Sequence, residues 1–155
     1  MITIRRAVYD QMISHAKAGY PNEACGILSG PPRNADGSLP VRQAGAGVLV
    51  AEKADEVSIF YPMKNTDNAA ISYFMDPKEQ LQVFKSMRQK GLVMRGIFHS
   101  HVASEATPSQ KDVRLAFYPE ASYLIVSLSD LQKPVLRSFR IVEEKVTEEE
   151  IKIED

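Results

Sequence analysis

LVMRGIFHSHVASEATPSQKD, residues 92–112, decides how this chain is read. Its first part, 92–99, is a mostly apolar run of the kind that forms a strand buried on both faces. His99 and His101 close the run, and the whole chain holds only three histidines. Alternate residues of a strand point to one side, so two imidazoles two apart can converge on one ion. Residues 107–110, TPSQ, then read as a capping box with Pro at the first helical turn, opening a short helix to about Tyr118. Ser109 and Asp112, three apart, share a face of that helix. The loop 102–107 is long enough to fold the helix back over the strand. Asp112 can then add a carboxylate oxygen to the two imidazoles.

Two His, one Asp and an open position form the ligand set of a catalytic zinc site. A closed structural zinc site wants four ligands, usually several Cys, and the chain has one Cys. His and carboxylate also suit other divalent ions. A hydrolytic site needs a base near the metal, and Glu23, charged at the mouth of the apolar strand ACGILSG (24–30), is the best candidate. Ser109 lies at a helix start, where its hydroxyl can donate to an oxyanion. Electrophile, base and oxyanion donor together read as metal-assisted hydrolysis of an amide or ester. Each residue alone has an ordinary explanation as a loop charge, a helix cap or a solvated side chain. The spacing as a set carries the reading.

Working outward, residues 2–4 read as a short strand and 5–18 as a helix, with Val8, Met12 and Ala16 on one face and Gly19 and Pro21 as the stop. Residues 31–40 read as a surface loop, and 47–51 and 55–60 as strands. The stretch 70–74 reads as a strand with a solvated lip, 64–68, before it. DPKE (76–79) is a helix start, Asp76 as N-cap and Glu79 completing a capping box; Leu81, Phe84 and Met87 mark one face and Gly91 the end. Residues 122–128 and 135–142 complete the strands. This order predicts an α/β or α+β domain, one sheet with helices packed on it.

The 155 residues suit one domain with a single core. Apolar content of 44% and charged content of 25% are those of an ordinary globular protein. A net charge of -1 gives no reason to expect nucleic-acid binding. Charge is uneven, with seven acidic and two basic side chains in 143–155, which reads as a solvated edge strand or acidic C-terminal tail. No long apolar stretch follows MITIRR and none elsewhere reaches the length of a membrane span, so no signal peptide or membrane segment is expected. The lone Cys25 excludes an internal disulfide and fits a reducing cytoplasm. Cys25 reads as a small buried hydrophobe rather than a nucleophile, and His15 as a solvated or dipole-stabilised helix residue.

Glu23, His99-Ser100-His101, Ser109 and Asp112, in this spacing, resemble the JAMM motif of the MPN+ metalloproteases. PNEACGILSG, YFMDPKEQ and the His-to-Asp segment extend the resemblance over most of the chain, and it looks most like the short bacterial Mec+ group. The resemblance implies a single MPN (JAMM) domain over 1–142, a mixed curved sheet flanked by helices, with 143–155 as tail or edge. It implies one Zn2+ per chain on His99, His101 and Asp112, Glu23 as general base and acid, and Ser109 steadying the oxyanion. The implied partner is a ubiquitin-like sulfur-carrier protein, cleaved at its C-terminal Gly-Gly tail, for example with release of cysteine. Another conjugate, a cell-wall or phage-tail peptide, and a non-catalytic scaffold stay open, as does the oligomeric state. Relatives often have Pro after the second His, where this chain has Val102, so the 102–107 loop is freer to aim differently. Strand 70–74 is the expected edge for the substrate tail, and Pro at Ser72 is then expected to weaken tail binding.

Overall fold

The computed structural model describes residues 1–32, 34, 36, 41–44, 48–51 and 55–155. The surface loop expected at 31–40 falls largely outside the described residues, as does residue 47. The elements run β1 (Ile2–Arg5), α1 (Arg6–Gly19), β2 (Cys25–Gly30), β3 (Val41–Ala44), β4 (Val48–Ala51), β5 (Glu56–Val57) and β6 (Ile59–Met63). They continue α2 (Pro77–Gln89), β7 (Val93–His101), α3 (Gln110–Arg114), β8 (Ser122–Ser127), β9 (Val135–Val142), β10 (Lys145–Glu149) and β11 (Ile151–Glu154).

The main sheet has the order β10-β9-β8-β7-β2-β6. It is mixed, because β7 and β8 run parallel while the other neighbours are antiparallel. A smaller parallel sheet joins β11, β1 and β5. The acidic end is therefore paired backbone: β10 extends β9, and β11 lies beside β1.

Alternation sorts side chains to the two faces of the main sheet. Leu28, Phe60, Phe98, Leu124 and Val126 meet Val8, Met12 and Ala16 of α1 in one core, and the three α1 residues are buried at the expected four-residue spacing. On the other face Cys25, Ile27 and Met63 meet Met87 of α2, while Tyr123, Ile125 and Phe139 pack near α3. His99 and His101 are buried alongside Ile97, two and four residues on, so they belong to the α2 and α3 side.

Gly26 marks a close approach of strands. A Cβ there would stand 2.2 Å from Phe60 Cε2 and 2.8 Å from the Tyr61 carbonyl oxygen. Both neighbours lie on β6, where the backbone is fixed by pairing. Gly26→Ala is expected to destabilise the fold by about 2 kcal/mol through overpacking. Urea denaturation reads this, and a loss under ~0.5 kcal/mol, within the range of a surface substitution, contradicts it.

Several expectations need correction. Residues 70–74 are not a strand. In α2, Asp76 caps by accepting from Lys78 N at 2.8 Å, but Glu79 accepts from Lys64 N at 3.1 Å instead of closing a capping box. Leu81 is 66% exposed, and the inner face of α2 is Val83, Phe84 and Met87. The strand at 92–99 begins at Val93, is exposed there, and extends through His101. The cap of α3 is Ser109 rather than Thr107, and the helix ends at Arg114, short of Tyr118.

Candidate metal centre and active-site cleft

Buried β7 carries His99 and His101 at its C-terminal end, 1% and 6% exposed. Ser109 caps α3 in a reciprocal box: its Oγ accepts from Asp112 N at 3.1 Å, and its N–H donates to Asp112 Oδ2 at 2.8 Å. That box aims Asp112 at the strand. Asp112 Oδ2 lies 3.2 Å from His99 Nε2 and 3.3 Å from His101 Nε2, and the two Nε2 atoms are 3.1 Å apart. The sequence-predicted trio therefore forms one nearly equilateral triangle of donor atoms.

The triangle fits a metal by its chemistry. His101 Nδ1 lies 2.8 Å from the Glu105 carbonyl oxygen, which only accepts. Nδ1 therefore carries the proton and leaves a lone pair on Nε2. The ionised Asp112 oxygen also only accepts. Lone pairs facing one another at 3.3 Å demand a cation or a proton between them. Four-coordinate zinc with bonds of about 2.0–2.1 Å asks for donors about 3.3 Å apart, close to the spacing found. Among protein groups alone a proton meets the demand. Burial lowers the His101 pKa, yet the Asp112 carboxylate and the Glu105 carbonyl outweigh it and hold it above its ordinary value. Burial raises Asp112, but hydrogen bonds from His101 and His99 hold it well below the usual carboxylate range. Burial dominates at His99 and lowers its pKa.

Glu23 stands on the turn between α1 and β2, 8% exposed. Its N–H donates to the Ala69 carbonyl at 2.8 Å. It lines one small cleft with Tyr73, Lys111, Asp112 and Leu115. Burial pushes its carboxyl up to about 7, with His101 pulling it down and Asp112 pushing it further up. In an unfolded chain the same group titrates near 4.5. The folded protein thus holds an extra proton between those values. This contribution to stability is present below about pH 4.5 and lost as pH rises through about 7. In metal-free protein, Glu23→Gln is expected to be more stable than wild type by about 3 kcal/mol at pH 8, and equal to it at pH 4. Urea denaturation at both pH values checks the sign, and a variant less stable at pH 8 contradicts it.

Sequence reasoning missed the wall of the cleft. Asn65 Nδ2 donates to the carbonyls of Glu23 at 3.0 Å and Ser72 at 2.9 Å, and its Oδ1 accepts from the N–H of Asp67 and Phe74, both at 3.0 Å. One amide side chain thus ties the base to the segment 70–74 and supplies partners that a strand ladder would have supplied. This is the physical reason 70–74 is not a strand. The Ser72 carbonyl already accepts from Asn65, one of the groups a free strand edge would have offered to a substrate tail. Tyr73, on the same segment, stacks on His99 with centroids 4.7 Å apart at 25°. The only sequence signal for this wall was the run of turn-forming residues at 65–68.

Cys25 is fully buried, its Sγ directed at the Met63 carbonyl. Burial, then the Glu79 and Glu23 charges, push its thiol up to about 12, so it is an inert core residue. His15 is not simply solvated: its Nε2 donates to the Cys25 carbonyl at 2.9 Å.

The fold is that of solved JAB1/MPN domain proteins, and on it His99, His101 and Asp112 stand together. The family described as prokaryotic homologs of the JAB domain matches residues 5–142. A CysO-cysteine peptidase of Mycobacterium tuberculosis (strain ATCC 25618 / H37Rv) is 36% identical over 153 residues, 99% of this chain and 91% of that protein. A desampylase of Haloferax volcanii is 28% identical over 123 residues, 76% of this chain and 74% of its own. The solution structure of protein DSY2949 from Desulfitobacterium hafniense superposes at TM-score 0.80, with 42% identity, covering 100% of this chain and 94% of that one. The chain belongs to the prokaryotic JAB-domain family. Among the described residues no helix is long and apolar enough to cross a membrane.

Proposed function

We propose that this chain is a cytoplasmic zinc peptidase, one Zn2+ on His99, His101 and Asp112, that processes the C-terminal Gly-Gly tail of a ubiquitin-like sulfur-carrier protein. It hydrolyses the bond after the Gly-Gly and releases the terminal residue, cysteine being the example. The peptidase domain spans 1–142, with the acidic strands of 143–155 at its sheet edges. The observation that carries the reading is the donor triangle, whose Asp112 lines one cleft with Glu23. The near full-length likeness to a CysO-cysteine peptidase supports the substrate class, and the desampylase supports a ubiquitin-like partner. A complete donor set beside a carboxylate of raised pKa argues against a scaffold that only assembles.

A bound zinc ion supplies Lewis acidity, polarising a carbonyl and acidifying water. Glu23 takes the proton from the attacking water and delivers it to the leaving amine as the C–N bond breaks. A carboxyl with a pKa near 7 is suited to both transfers at neutral pH. The Ser109 Oγ accepts from Asp112 N, so its own hydrogen is free to donate to the carbonyl oxygen as charge develops there. Gly residues let the tail backbone pass the narrow cleft, since no Cβ opposes it.

The test is metal dependence on a defined tail. Carrier protein extended by one residue beyond Gly-Gly should be trimmed by zinc-loaded enzyme, spared after chelation, and trimmed again on adding one equivalent of zinc. Trimming that persists at full rate after verified removal of metal contradicts the proposal.

A further inference from the structure

We propose that Lys111 reads the free α-carboxylate of the departing residue, making this chain an exo-acting peptidase that removes one C-terminal amino acid. The inference rests on the tail-processing reading above and names what lies on the leaving side. Lys111 is exposed on the first turn of α3, one residue before Asp112, and lines the same cleft as Glu23 and Asp112. Its charge is felt at the Glu23 carboxyl. It has no ion pair among the described residues, although its neighbourhood is acidic. It is also the one cation among the described residues that line this cleft.

The chemistry places a carboxylate within its reach. Glu23 must hand a proton to the leaving nitrogen, so that nitrogen sits at Glu23. In a terminal amino acid the carboxylate carbon is two bonds from that nitrogen, about 2.5 Å away. Lys111 lines the same cleft as Glu23, and the four-carbon stem of Lys allows the ammonium to close on that carboxylate. An ε-linked lysine conjugate offers no such anion, since four methylenes separate its nitrogen from the backbone of the conjugated protein. A C-terminal amide offers none either. Lys111 thus favours a single free-ended residue over an isopeptide conjugate.

The test uses zinc-loaded full-length enzyme and carrier tails ending in Gly-Gly plus one residue, as the free acid or as the carboxamide. Wild type is expected to prefer the acid about fivefold in kcat/KM, mainly through KM, and the preference should shrink as salt is raised. Lys111→Arg should keep the preference, and Lys111→Gln should bring the acid-to-amide ratio close to one. Lys111 also acts on Glu23 through its charge, but that effect falls on both substrates alike, so the ratio isolates recognition of the carboxylate. A wild-type ratio of one, or a ratio that Lys111→Gln leaves intact, overturns the inference alone. Failure of wild type to cleave either tail removes the tail-processing reading, and the inference with it.

Discussion

Glu23→Gln is expected to bind zinc as wild type does and to lose about a thousandfold in rate. The substitution keeps the shape of the side chain and removes only its capacity to take a proton. The turn that holds residue 23 depends on backbone contacts, its N–H to Ala69 and its carbonyl to Asn65, and these survive. None of the three donor atoms belongs to Glu23. A loss confined to kcat, with zinc content unchanged, separates the proton carrier from the metal holders. Retention of a tenth or more of the wild-type rate would show that another group carries the proton. The same variant gains stability at high pH when metal-free, so a dead but more stable protein is the combined signature.

Asp112→Asn is expected to weaken zinc binding at least about a hundredfold. Asp112 Oδ2 serves two groups at once, the Ser109 N–H and the pair of imidazoles. Asn can still accept from the Ser109 N–H through its amide oxygen, so the box that starts α3 is retained. It brings no negative charge to the triangle, and turning its NH2 towards the imidazoles sets donors where a metal needs lone pairs. His101 also loses the carboxylate that holds its pKa above the ordinary value. Competition against a chromophoric chelator reads the affinity. Tight binding retained by Asp112→Asn would show that the triangle is not the metal site.

What was legible in the sequence was mostly local. His99 and His101 share a side because strands alternate, and Asp112 reaches Ser109 because helix starts invite a residue three on. The three donors could be placed together without a structure for that reason. Misreadings arose where two local rules competed or where a distant partner decided. Thr107 and Ser109 both suit a helix cap, and Ser109 takes the place because Asp112 reciprocates. Glu79 has a cap to close, but the Lys64 N–H, fifteen residues back, claims it. Residues 70–74 have the composition of a strand, yet two hydrogen bonds of the Asn65 side chain, to the Ser72 carbonyl and from the Phe74 N–H, hold them in place of a ladder. Stacking of Tyr73 on His99 joins two segments that no periodicity connects. Lys111 has no sequence signal of its own, and only the cleft sets it in one lining with Glu23.

The most direct test of the central claim is a mass measurement. Zinc-loaded enzyme is incubated with a Gly-Gly-ended sulfur-carrier protein bearing one extra C-terminal cysteine, with Glu23→Gln in parallel. The account predicts that the carrier loses the mass of one cysteine residue with wild type and keeps it with the variant. A carrier left whole by wild-type enzyme with zinc shown to be bound, or trimmed equally by both proteins, would contradict it.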